Sequence, residues 1–76
     1  MIRFKLKELI ALKEREEGRR IGLQEIADAT DIHRTTLSKL QNPNGYNTNT
    51  ENLDKLCTYF GCELSDLAEH VTHATK

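Results

Sequence analysis

Between His33 and Asn49 the chain carries no carboxylate. Within that run stand His33, Arg34, Thr35, Thr36, Ser38 and Lys39, followed by Asn44, Tyr46, Asn47 and Asn49. Cations, hydroxyls and amides without an acid among them can approach phosphates closely and hydrogen-bond base edges. Arg34 has the fork for a bidentate pair with guanine. Thr35 can touch a thymine methyl or bond an edge, and Lys39 can reach guanine or phosphate. Thr36 and Ser38 suit phosphate contact or packing. The plain alternative is a solvated polar face, and about half of the Asn-rich stretch serves only to make a turn.

Other chemistry has less support. Cys57, Cys62, His70 and His73 are zinc-ligand types, but their spacing matches no finger pattern. Cys57 falls on an apolar stripe, so both cysteines are expected as buried, reduced thiols, with no metal or cofactor. No Ser or Cys has a readable His partner, and the acids are scattered over helix surfaces. Neither an enzyme nor a small-molecule substrate is expected.

The chain has 76 residues, enough for one domain, and a net charge of −1. The charge divides unevenly, at +2 for residues 1–39 and −3 for residues 40–76. The longest apolar run is Leu9-Ile10-Ala11-Leu12. A membrane span needs about 20 apolar residues. Arg3, Lys5 and Lys7 interrupt any signal-like apolar start, so a cytoplasmic location is expected.

Periodicity places the elements that must hold the polar run. Leu6, Leu9 and Ile10 follow helical spacing, which predicts a helix over 5–17 ended by Gly18. Ile2–Phe4 alternates and reads as that helix's first turn or as a short extended arm, which would pair with a second subunit. Ile21 and Ile26 flank a Gly22 cap as a hydrophobic staple, with Glu25 at the third helical position. That helix runs from Leu23 to Thr30, and the next from Arg34 to Gln41. A long loop over 42–50 precedes a fourth helix, starting near Asn49 or Thr50, with Leu53, Leu56, Cys57 and Phe60 as its stripe and Gly61 as its end. A fifth helix after Cys62 is expected to bury Leu64, Leu67, Ala68 and Val71. Residues 72–76 are expected to fray.

The second and third helices are joined by three residues, so they must cross steeply. Ala27 supplies the small side chain that such a crossing tolerates. Asp31 stands at the turn and is one of the few residues that accept positive φ. Ile26, Ile32, Leu37 and Leu40 fall where the pair must face a core.

With these residues in place, the chain resembles the Cro/lambda-repressor-type (Xre) helix-turn-helix family over about residues 4–71. The likeness rests on Ile26-Ala27, Ile32, Leu37, Leu40 and Asn42. It extends to the tail Leu53-x-x-Leu56-Cys57-x-x-Phe60-Gly61-Cys62-x-Leu64-x-Asp66-Leu67. Asp31 replaces the usual Gly, His33 stands where a capping Ser or Thr is typical, and Leu23-Gln24 stands where a Gln often opens helix two. The resemblance implies an all-α, five-helix, lambda-repressor-like domain over 1–76, with its helix-turn-helix at about 22–41. It implies a sequence-specific regulator, acting as a repressor, whose third helix (about 34–41) enters the major groove of duplex DNA. Gln24 would add a phosphate contact aided by the helix dipole. A homodimer on a palindromic operator would set half-sites roughly 34 Å apart. The competing class is a protein-interaction module or antitoxin-like adaptor on the same fold, which the slightly negative net charge keeps in play.

Overall fold

A computed structural model describes residues 1–42 and 47–72. The order of elements is β1 (Ile2–Phe4), α1 (Leu6–Glu17), α2 (Leu23–Thr30), α3 (Arg34–Leu40), α4 (Thr50–Phe60), α5 (Leu64–Leu67) and β2 (Ala68–His70). Among the described residues the chain is mostly helical, with five helices and a two-stranded antiparallel sheet.

Helix α1 ends as its sequence dictates. Gly18 adopts the left-handed conformation at φ 67° and returns its amide to the Glu14 carbonyl at 2.8 Å. The Glu14 carboxylate then accepts the Ile21 amide at 2.8 Å, which fixes the approach to α2. Ile21 and Ile26 are both buried on either side of the Gly22 cap, as a staple requires. Glu25 is held by a bidentate pair with Arg19, at 2.9 and 2.6 Å.

The core gathers Leu6, Ile26, Leu37, Leu40, Leu56 and Leu67, each at most 1% exposed. Every helix supplies at least one of them. Ala27 and Ile32 extend this core between α2 and α3.

The C-terminal segment departs from the expected fifth helix. Only Leu64–Leu67 is helical, opened by a reciprocal Glu63–Asp66 capping box. Ala68–His70 is a strand instead, and Leu64, expected inside, is 55% exposed. The reason lies at the other end of the chain. β1 offers a pairing edge in the register Ile2↔His70, Arg3↔Glu69 and Phe4↔Ala68. The ladder continues with Lys5 N–H to the Leu67 carbonyl at 2.6 Å, and with Met1 and Val71 exchanging bonds at 3.0 and 2.8 Å. These bonds satisfy backbone groups that a longer helix would have satisfied internally. The alternation of Ile2–Phe4 thus marks a strand whose partner is in the same chain. Arg3 and Glu69 add a cross-strand ion pair at 2.9 Å.

Cys57 and Cys62 are free thiols, but half-buried, not buried. Among the α4 residues expected inside, only Leu56 is fully covered. Tyr59 packs edge-on to Phe60 with centroids 4.9 Å apart, and Lys13 Nζ sits 5.0 Å from the Tyr59 ring centre.

Candidate nucleic-acid interface

The α2–α3 corner is built by three side chains, Ala27, Thr30 and Ile32, and one backbone angle. Asp31 ends α2 at φ 61°, the one non-glycine positive φ among the described residues. Its amide donates to the Ala27 carbonyl at 2.8 Å. This left-handed residue redirects the chain so that Ile32 drops into the core. Ala27 is 8% exposed, small enough for α3 to pass close by. Thr30 is buried, and its hydroxyl donates to the Ile26 carbonyl at 2.7 Å, so the crossing carries no unmet polar group.

With Leu37 and Leu40 inside, the rest of α3 must face out. His33, Arg34, Thr35, Ser38 and Lys39 are exposed and Thr36 is half-buried. His33 occupies the cap position of α3, yet its side chain makes no capping bond. The helix proper ends at Leu40, with Gln41 as its last, cap residue.

A shallow cleft of about 330 Å³ lies where α2 meets the start of α3. Gln24, Asp28, Asp31, His33, Arg34 and Thr35 line it, over a floor of Ala27 and Ile32. The structure thus brings Gln24 from α2 beside the His33 cap and the first two residues of α3. Gln24 Nε2 donates to Asp28 Oδ1 at 3.0 Å, which orients the amide at the cleft wall.

The cleft also corrects the impression of an acid-free surface. The run from His33 to Asn49 has no carboxylate along the chain, but Asp28 and Asp31 flank it in space. Sequence reasoning missed both. The four-residue spacing from Gln24 to Asp28 on one helix face was the available signal.

The loop residues divide. Asn49 is the cap of α4, its Oδ1 accepting the Asn52 amide at 2.8 Å. Asn52 Nδ2 in turn donates to the Thr48 hydroxyl at 3.0 Å, a support that sequence reasoning also missed. Asn47 lies elsewhere, in a groove with Ile2, Phe4, Leu53 and Leu64. The α3 cleft does not include it. Asn44 and Tyr46, also expected at the interface, lie outside the described residues, as does His73.

Two of the cations that precede the motif, Lys13 and Arg19, are committed to carboxylates. Arg19 is held well above its ordinary value by Glu25, with Glu17 adding to it. Lys13 is raised by its bond to Glu17 at 2.8 Å. Among the described residues no group of three or more His, Cys, Asp or Glu side chains is placed to hold a metal ion. No described helix is long and apolar enough to cross a membrane.

Comparison with known proteins fits this geometry. The model of one family, described as the Cro/C1-type helix-turn-helix DNA-binding domain, matches residues 5–73. Neither the curated proteins nor the solved structures gave a match.

Proposed function

This chain belongs to the Cro/C1-type helix-turn-helix DNA-binding family, and on that premise we propose that it is a repressor that reads operator DNA through α3. The observation that carries the proposal is the outward face of α3, with Arg34 and Thr35 exposed at its first turn beside Gln24.

In this reading α3 lies in the major groove and its N-terminal residues meet base edges. Arg34 pairs with guanine through both arms of its guanidinium, and Thr35 meets a thymine methyl or a base edge. Lys39, one turn on, reaches guanine or phosphate. His33, Thr36 and Ser38 contact the backbone at the groove wall. Gln24 and Asn49 contact phosphates, with Asn44 and Tyr46 as further loop donors. Asp28 and Asp31 repel the backbone everywhere except where a cation intervenes, so they limit non-specific affinity more than specific affinity.

Two copies bind a palindromic site in the cytoplasm, with half-sites roughly 34 Å apart. Selection of bound duplexes from random DNA tests the proposal. A recovered inverted repeat of that spacing supports it. Binding that lacks sequence preference, or no binding whose strength falls with salt, favours the protein-adaptor reading instead.

A further inference from the structure

Cys57 and Cys62 meet at the end of α4 in a way that the DNA-binding reading does not use. Gly61, left-handed at φ 64°, closes the helix. The Gly61 amide donates to the Thr58 carbonyl at 3.3 Å, and the Cys62 amide to the Cys57 carbonyl at 3.0 Å. These two bonds define a Schellman ending, whose flanking side chains pack against one another. In most such endings the touching pair is aliphatic; here it is two thiols.

The backbone sets their distance. With the Cys62 amide 3.0 Å from the Cys57 carbonyl oxygen, standard bond lengths hold the two Cα atoms within about 7 Å. A disulfide takes Cα separations of about 4.4–6.8 Å. Burial and the adjoining Cys57 side chain push the Cys62 thiol up, so Cys62 keeps its proton at neutral pH. Both residues are half-buried and reachable. Cys57 borders a groove with Thr50, Leu53, Asp54 and Leu64. Cys62 borders a separate cleft of about 480 Å³ between α1 and the α4–α5 corner.

We propose that Cys57 and Cys62 form a dithiol site that small-molecule disulfides such as oxidised glutathione convert to an intramolecular disulfide across the Gly61 turn. One cysteine thiolate attacks a glutathione sulfur, breaks the glutathione S–S bond and releases one glutathione thiolate. The second cysteine then attacks the protein sulfur of that mixed disulfide. The Cys57–Cys62 bond forms, a second glutathione leaves, and the two thiol protons pass to the released glutathiones. The protein pair is oxidised by two electrons and glutathione disulfide is reduced. The new bond ties the last turn of α4 to the segment that leads into α5.

The test equilibrates the full chain with glutathione buffers and weighs the peptide released by trypsin after Lys55, which contains both cysteines. The expected product has lost two hydrogens, carries no glutathione and has no disulfide to a second chain. Cys57→Ser and Cys62→Ser should each stop at a glutathione adduct instead, with helicity by circular dichroism showing that the variants fold. The equilibrium constant should fall at least about tenfold in denaturing urea, because the folded turn preorganises the pair. A wild-type chain that stops at glutathione adducts, cross-links between molecules, or gives the same constant folded and unfolded overturns the proposal.

Discussion

The Asp31 amide donates to the Ala27 carbonyl at 2.8 Å while Asp31 itself stands at φ 61° and ψ 34°. One residue thus terminates α2, turns the chain into α3 and places a carboxylate at the edge of the α3 cleft. The two roles separate by substitution. Asp31→Val, branched at Cβ, should lower stability by about 1–2 kcal/mol. At this chain length that is a fall in Tm of about 4–8 °C per kcal/mol, read by thermal unfolding. Asp31→Asn tolerates the same backbone and removes only the charge. It should leave Tm nearly unchanged and tighten DNA binding, most visibly at low salt. Unchanged affinity at low salt would remove Asp31 from the interface.

Arg34→Ala should cost about 1–3 kcal/mol of discrimination at one base position. The check is to compare binding to the selected site with binding to its single-base variants. An equal loss on every sequence would demote Arg34 to a phosphate contact.

Acid should weaken the fold in a defined window. Glu25 is held below its ordinary value of 4.5 by its bond to Arg19, and Glu17 and Glu69 are lowered likewise by Lys13 and Arg3. A carboxylate depressed in the folded state stabilises fully above its unfolded value. That contribution is lost as pH falls through the lower folded value. Tm should therefore be flat from neutral pH down to about 5 and decline below about 4.5, by a modest amount because the pairs are exposed. Glu25→Gln and Glu69→Gln should each flatten the decline. A wild-type Tm that rises on acidification would contradict the assignment.

Phe4→Ala should cost about 3–5 kcal/mol, because Phe4 is 7% exposed and anchors β1 to the core. In a domain this small that approaches total stability. Deleting residues 1–4 should likewise lower Tm at any protein concentration, because β1 belongs to its own chain's fold. A variant that keeps its Tm and changes only its state of association would revive the idea of an exchanged arm.

Most of the fold was legible because its determinants are local. Gly18, Gly22, Asp31 and Gly61 mark helix ends through backbone freedom or capping, and each stands where the sequence places it. The α2–α3 corner was legible for the same reason, since Ala27, Asp31 and Ile32 are separated by only a few residues. The C-terminal strand was not legible. Leu64, Leu67, Ala68 and Val71 do fit a helical stripe, and only pairing with residues 2–4 overrides it. The carboxylates in the cleft were hidden for a similar reason. Asp28 and Asp31 precede the polar run in the chain and reach it only through the turn.

The sheet also has an effect on the order of events during synthesis. Arg3 and Glu69 are paired across 66 residues. Ile2 and Phe4 are translated before the described helices, and their partners only after them. The entropy of closing so long a loop falls only after the intervening helices have docked. A nascent chain therefore holds Phe4 without its sheet partners until Ala68–His70 emerges, and the domain closes as a unit only then.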